Sequence, residues 1–508
     1  MIFEKIEASS SIVDELDAFL DCNMQSILDF YNSSYSEIIE QKDIIDRFVL
    51  FKIRILENLD YSKVNNKAFL AILFDLCERF DLVSSFQAIV NIVQHFDMNF
   101  GKRLEAVELY MLTIRSNSDL IIKFDSIYEL LNEALDSEED NEDRVLVAFA
   151  NYFKKVIDTS QVYIDKFKEK TLLLINLNNS SFLNCNFIKF LFSVNTSDFF
   201  DANIKIQEKI ETCFSEHNFE IGKYNFIPEF LCENNTNYSN LLEITNPCFM
   251  DIRNISLNQC ENIIDVDDVD ISLRRGVSIL DDEEQMFLYM KKFGNMHNAK
   301  LVSAFKFISD NFNSQDIDVI DWGCGQALGC ISFAEYYKDI NINKVILIEP
   351  SEICLKRAAL HVNKILPTSD VITINKTLDN IPVDYIRSND KNVKVHLFSN
   401  ILDIETFSLS KLIDKICVTQ KGINFFVCVS PYITDIKTAR INSFVHFFRN
   451  KYSSFELIAD ETNSSELLDF YWTCNNDYKG NLGVYCKHTK YGCKNKWTRV
   501  LRVFKVVL

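Results

Sequence analysis

Glycine is the feature that most constrains this chain. Only 11 glycines occur in 508 residues, about 2% where a soluble chain ordinarily carries about 7%. Two of them, Gly101 and Gly222, fall in the first 275 residues, while Gly323, Gly325 and Gly329 fall within seven residues of one another. A chain so sparing of glycine that places three in one short loop needs backbone there without side chains. That loop is where function is sought.

The two sides of the loop differ in texture. In residues 1–240 the segments 11–22, 67–80, 84–96, 102–114, 126–135 and 143–157 each place apolar residues at i, i+3, i+4 and i+7. Short polar clusters such as RSNSD and DSEEDNED separate them. Consecutive amphipathic helices with short loops predict an α-helical domain, read as an irregular solenoid with a compact bundle as the alternative. No fixed repeat period runs through it. The acidic run Glu138, Glu139, Asp140, Glu142 and Asp143 reads as a solvated loop entering a helix, where negative charge suits the N-terminus. Residues 241–275, with β-branched side chains and the acids Asp265, Asp267, Asp268 and Asp270, read as a connector with one or two short strands.

From 276 to 508 strands alternate with helices. Apolar runs at 318–322, 344–350, 371–376, 393–400, 423–432, 455–461 and 498–508 give seven strands, most of them separated by helical segments. That alternation predicts a doubly wound α/β sheet. In such a sheet a ligand binds in the crevice beyond the carboxyl ends of the strands.

Composition narrows the classes of function. The length suits two to four domains. No apolar run approaches the length of a membrane span, and MIFEKIEASSSIVDELDAF lacks the basic and apolar regions of a signal peptide. Fifteen cysteines without a paired framework fit a reducing, cytoplasmic setting. A net charge of −20, from 53 basic and 73 acidic side chains, favours a protein partner over nucleic acid or an anionic membrane.

The segment VIDWGCGQALG resembles the first motif of the class I S-adenosylmethionine-dependent methyltransferases: an apolar strand, an acid, then G-x-G. The resemblance covers residues 276–508. It implies that Asp321 orients the loop and the methionine amine of the cofactor. It also implies that Gly323 and Gly325 let backbone close around the methionine part, with Gln326 in the same cofactor-binding set. The family's third glycine is replaced here by Ala327. Glu349, ending the second strand, stands where the family places an acid that accepts both ribose hydroxyls, although a dinucleotide-binding fold places one there too. After the third strand, KTLDNIP is similar to the turn at the adenine and sets Thr377 and Leu378 against the base, without the usual acid at Thr377. A seventh strand at the end of the sheet is the family's topological mark.

Other residues are weighed beside these. The lead-in 278–308 breaks at Phe293–His297 and resumes as a helix; His297 and Lys300 are candidate donors to the cofactor carboxylate, or else a surface pair on a helix–turn–helix edge. Ser399, Asn400 and Asp403 follow strand four, from which this superfamily often reaches its substrate. No Asn-Pro-Pro-Tyr type tetrapeptide stands there, which argues against exocyclic base nitrogens or a glutamine amide as acceptor. Ser430, Pro431 and Tyr432 follow strand five and read as an ordinary exit, and His396 as a packing residue. Cys474, Cys486, His488 and Cys493 lack the tight C-x2-C knuckle of a zinc site and read as ordinary cysteines in an insertion, zinc being the alternative.

The expectation is a cytoplasmic methyltransferase using S-adenosylmethionine. Its macromolecular acceptor, a protein before an RNA or a small molecule, is recognised with help from the helical half. The competing class is a non-catalytic interaction or scaffold protein that keeps the fold. Retention of Asp321, Gly323, Gly325 and Glu349 favours the enzyme.

Overall fold

A computed structural model gives the architecture, describing all residues except 1, 34, 137–141, 178–181, 184, 197, 216–229, 244–246, 264–268, 270–272, 274–277, 309–311, 313–315 and 464–497. The chain divides into two units: residues 1–220 with 433–439, and residues 221–432 with 440–508.

The first unit is helical. Among its helices, Val64–Arg79 is buried on nearly every face, polar residues included. A helix buried all round is a central one, whereas a simple solenoid of stacked pairs leaves its helices an outer face. A central helix of this kind suits the compact bundle better than the irregular solenoid. The segment 67–80, read from sequence as amphipathic, is the core of the bundle. Several of the helix's polar side chains are engaged by neighbours, although the side-chain oxygens of Asn65 and Asn66 are left without a hydrogen-bond partner among the described residues. Asn66 Nδ2 donates to Asp17 Oδ1 at 2.7 Å, and Asn65 Nδ2 to Asp21 Oδ1 at 3.1 Å. Asp75 takes Arg79 at 2.9 Å, the Tyr31 hydroxyl at 2.8 Å and Arg103, which also reaches Glu78 at 3.3 Å.

The second unit is built on a seven-stranded sheet: β1 (Ile317–Trp322), β2 (Ile342–Ile348), β3 (Asp370–Ile374), β4 (Val393–Ser399), β5 (Ile423–Ser430), β6 (Glu456–Asn463) and β7 (Arg499–Val507). Their order is β3-β2-β1-β4-β5-β7-β6, with the first five strands parallel and β7 antiparallel to both its neighbours. This is the seven-stranded Rossmann-like sheet that the sequence implies. Alternate residues feed two separate cores. Val319, Val345, Val395 and Val427 join one apolar layer, and Ile320, Ile346, Phe398 and Phe426 the other. Strands covered on both faces lose their polar alternation, which is why they read as unbroken apolar runs. The chain steps from β1 outward to β3 and returns to place β4 against β1. The switch point thus lies between β1 and β4, and a crevice opens at their carboxyl ends.

The reading of 241–275 as a strand-bearing connector needs correction. Its described residues include the helix Phe249–Gln259 and a 3-10 turn at Cys260–Asn262. Tyr238, Leu242, Phe249 and Ile252 share a core with β1 and β2. Residues from about 230 onward belong to the sheet unit, so the boundary falls earlier than 240. The acids Asp265, Asp267, Asp268 and Asp270 lie outside the described residues, as do Glu138, Glu139 and Asp140. No helix among the described residues is long and apolar enough to cross a membrane.

Candidate functional site

The site grows from the end of β1. Immediately after Trp322, three residues in five adopt left-handed backbone: Gly323 (φ +65°), Gly325 (φ +50°) and Ala327 (φ +63°). At Gly323 a side chain is excluded by contact as well, since a Cβ would lie 2.5 Å from Ile401 Cδ1. At Gly325 a Cβ would meet no atom within 4 Å. The backbone there borders open space. Ala327 keeps a glycine-like conformation, at a cost of about 1–2 kcal/mol for an L-residue.

Two carboxylates hold the loop, and both are engaged by backbone N–H groups. Asp321, buried on β1, accepts from Cys330 N at 3.2 Å, inside the first turn of the helix Leu328–Tyr336. Gly329 admits it, because a Cβ there would lie 2.9 Å from Asp321 Oδ2. Burial pushes the Asp321 carboxyl up to about 7; the Cys330 hydrogen bond opposes the rise and the Glu349 charge adds to it. Glu349, one residue past β2, accepts from Gly325 N at 2.9 Å and from Ser351 N at 3.0 Å. Burial raises it too, against those two N–H groups. Among the described residues no lysine or arginine pairs with either acid. Each oxygen of Glu349 retains a lone pair for a hydroxyl donor.

Gln326 is anchored on both sides. Its carbonyl accepts from His361 Nδ1 at 2.9 Å, and its Nε2 donates to Met286 O at 3.0 Å. A carbonyl can only accept, so the proton of His361 is on Nδ1, and Nε2 takes the Tyr238 hydroxyl at 2.8 Å. Burial lowers His361 to about 4, which keeps the ring neutral. Next to these, Asn375 Nδ2 ties the end of β3 to Glu349 O and Pro350 O at 3.1 and 2.8 Å.

The remaining residues nominated from sequence fall around this centre. Thr377 and Leu378 follow β3; Thr377 Oγ1 accepts from Asn380, and Leu378 packs with Ile348 and Ile374. Ser399 ends β4, and Asn400 adopts φ +55° beyond it, its Nδ2 on Ser399 Oγ at 3.2 Å. Ile401, next in line, is the residue that meets Gly323. Asp403 is buried and accepts from Ser430 Oγ at 2.8 Å, joining the ends of β4 and β5. His297 and Lys300 sit buried in the helix Gly294–Phe305 rather than on a surface edge. Burial, with the Lys300 charge nearby, lowers His297 to about 3. It would thus offer a carboxylate a neutral N–H and no charge. Its ring stacks on Phe293 and reaches the Tyr289 hydroxyl at 3.5 Å. His396 is a packing residue: Nδ1 accepts from Trp322 Nε1 at 3.1 Å, Nε2 donates to Asn424 Oδ1 at 3.0 Å, and the ring stacks on Phe426.

Sequence reasoning missed Tyr238, Tyr289 and His361. Tyr289, on the helix Glu283–Lys292, is raised by burial and by nearby charge, Glu349 first, and its hydroxyl lies 3.5 Å from His297 Nδ1. No local motif announces any of the three. Cys474, Cys486, His488 and Cys493 lie outside the described residues.

No protein-family model matches the chain, and no curated protein matches it. Solved structures do. The plantazolicin methyltransferase BpumL bound to SAH aligns at 10% identity over 50% of this chain and 99% of that one, TM-score 0.30. A SAM-dependent methyltransferase from Aquifex aeolicus aligns at 12% identity over 42% and 95%, TM-score 0.27. Likeness at this level assigns neither activity nor acceptor.

Proposed function

We propose that this protein is a methyltransferase that uses S-adenosylmethionine. The observation that carries the reading is the Gly325–Glu349 contact. A glycine N–H at the end of β1 is clamped to an acid at the end of β2, beside space that a Cβ would fill, on a methyltransferase-type sheet. The chemistry of the donors suits this cofactor. Glu349 offers free lone pairs for the ribose hydroxyls, and Leu378 an apolar face for the base. The buried Asp321, without a cation of its own, suits a positively charged methionine arm.

The bound cofactor would supply an activated methyl on a sulfonium. The task left to the chain is alignment of the acceptor, which in favourable cases supplies about 7–11 kcal/mol of the barrier. Ser399, Asn400 and Asp403 stand where an acceptor would enter. We read the acceptor as macromolecular, a protein before an RNA on the net charge of −20, with the helical unit contributing recognition. Eleven of the described cysteines, Cys324 and Cys330 among them, are free thiols, which suits a reducing compartment.

Calorimetric titration with S-adenosylmethionine and SAH tests the reading. The wild-type chain should bind both. Gly323→Val should abolish binding, and Glu349→Ala should weaken it by about 1.5–3 kcal/mol, the scale of a hydrogen bond to a charged group. Unchanged affinity in Gly323→Val would remove the site assignment. Labelled methyl donor in lysate, with protease and nuclease arms, identifies the acceptor class.

A further inference from the structure

The chain between β4 and the helix Leu409–Thr419 is tied down along its length. Asn400 N donates to Val429 O at 2.7 Å, Asp403 accepts from Ser430 Oγ at 2.8 Å, and Ser408 N donates to the Asp379 carboxylate at 3.1 Å. A further pair of ties comes from a residue far along the chain. Arg440, on the helix Asp435–Lys451, is wholly buried. Its Nε donates to Leu402 O at 3.2 Å and its Nη2 to Phe407 O at 3.1 Å, with the guanidinium 5.0 Å over the Phe407 ring. Burying a cation costs free energy unless it is hydrogen-bonded, and backbone carbonyls at both ends of one loop are among the acceptors here. A planar fork holds two such carbonyls in a fixed geometry, which a lysine cannot do. Leu402 and Phe407 are themselves buried, so both ends of the segment 402–407 are drawn onto one rigid group.

This loop carries Asn400 and Asp403, set above where an acceptor would enter, and Ile401, whose side chain lies against Gly323. A sulfonium methyl is already activated, so the rate depends on alignment, and a misplacement of about 1 Å costs about 100-fold. We propose that Arg440 is a positioning residue for methyl transfer. It fixes the loop after β4 so that Asn400 and Asp403 keep one geometry when the acceptor arrives, and it acts through that loop alone. The inference rests on the methyltransferase reading of the site and extends it from the glycine loop to the acceptor side. A buried arginine that merely filled the core would affect folding. One that sets the loop affects the transfer step and leaves cofactor affinity alone.

Wild type, Arg440→Met and Arg440→Lys are compared as full chains. Transfer is read as the initial rate of label incorporation from saturating labelled S-adenosylmethionine into total lysate macromolecules, above a blank without the chain. SAH affinity is measured by calorimetry on the same preparations, and hydrogen exchange followed by mass spectrometry reads the loop itself. Arg440→Met should lower the rate about tenfold or more and change SAH affinity by less than about twofold. It should also speed exchange in the peptide covering 400–408 more than in β1 or β2. Arg440→Lys keeps the charge and reaches one carbonyl, so its rate should fall between those of wild type and Arg440→Met. A wild-type rate in either variant overturns the proposal, as does unchanged exchange in that peptide. A loss of rate matched by an equal loss of SAH affinity also overturns it, since that marks a merely structural role. If Arg440→Met does not fold, Arg440→Lys decides alone; if neither folds, Arg440 serves the fold only. A wild-type chain that binds SAH yet transfers no methyl removes the methyltransferase reading and this proposal with it. Active wild type with variants that match it removes only the role of Arg440.

Discussion

The helical unit and the sheet unit both bury acids, and they treat them differently. In the helical bundle Asp75 is surrounded by Arg79, Arg103 and the Tyr31 hydroxyl, and Glu78 by Arg103, Asn151 and the Tyr110 hydroxyl. Burial works to raise Asp75, but the nearby arginines outweigh it and hold the carboxyl well below its usual range. At the glycine loop, Asp321 and Glu349 are equally buried and have only backbone N–H groups; burial wins, and both rise. A buried acid matched by cations inside the chain is complete. One matched by dipoles alone is prepared for a partner that arrives. Burial raises Glu78 as well, in spite of Arg103, so what separates the two regions is the presence of a cation beside the acid and not the direction of its shift; perturbed carboxyls without a cation, in a crevice, mark candidate functional sites.

The largest effect should come from breaking the paired cluster. Arg103 is 4% exposed and serves Asp75 and Glu78 together. Arg103→Met leaves both acids short of a cation, and removing one partner of a buried pair destabilises by about 3–5 kcal/mol. Urea denaturation followed by circular dichroism should show the helical signal lost at lower denaturant. SAH affinity, measured on folded protein without urea, should be unchanged. A loss of affinity on that scale would mean that the bundle's charges belong to the site after all.

Most of the sheet and the centre of the site were legible in the sequence, and for physical reasons. Strands with both faces covered must be apolar throughout, and no other local structure gives such short, regular runs. A loop with φ positive at Gly323 and Gly325 needs glycine, so the motif is written in the residues themselves. The rest was hidden because it depends on distance along the chain. Tyr238, His361 and Gln326 meet across 123 and 35 residues. The helix Phe249–Gln259 carries Ile252, Ile255 and three asparagine or glutamine residues, a weak helical signal. It is started by a backbone N–H of Cys248 on Asp251 and kept by packing against the sheet unit's core. Val64–Arg79 misled in the opposite sense: its polar residues read as a solvated face, but Asn65, Asn66, Asp75, Glu78 and Arg79 are buried against other parts of the chain.

The second effect sharpens the contrast through pH. Asp321 has its folded-state carboxyl raised to about 7, above the ordinary value. Its protonated form is thus favoured in the unliganded fold, and its contribution to stability is present below the ordinary carboxyl range and lost as pH rises through about 7. A ligand ammonium placed beside Asp321 reverses the preference, because it favours the ionised acid. SAH affinity should therefore strengthen about tenfold per unit as pH rises toward about 7 and level off above it. Calorimetry in buffers of different ionisation enthalpy should register proton release below that point. Binding is the correct readout. His297, His361 and His396 are held neutral by burial, so they withdraw stability as pH falls and mask Asp321 in an unfolding curve. A flat affinity profile would show that Asp321 is a helix cap and nothing more.

The smallest effect concerns the backbone of the loop. Ala327 sits at φ +63°, ψ +32° with its methyl wholly buried, at the N-cap of the helix Leu328–Tyr336. An alanine there bears the left-handed penalty that glycine avoids, and makes no side-chain hydrogen bond in return. Ala327→Gly relieves that strain but frees the unfolded chain, so the two terms oppose each other. Where φ is positive the relief is the larger, and the net gain should be about 1 kcal/mol or less. Thermal denaturation should show a small rise for the sheet unit's transition. SAH affinity should hold, since Gly325 and Gln326 keep their contacts with Glu349, His361 and Met286. A fall in stability instead would mean that the buried methyl packs well enough to outweigh the strain. Alanine would then be the residue this loop prefers, and the departure from the family's third glycine would be an adaptation to this core.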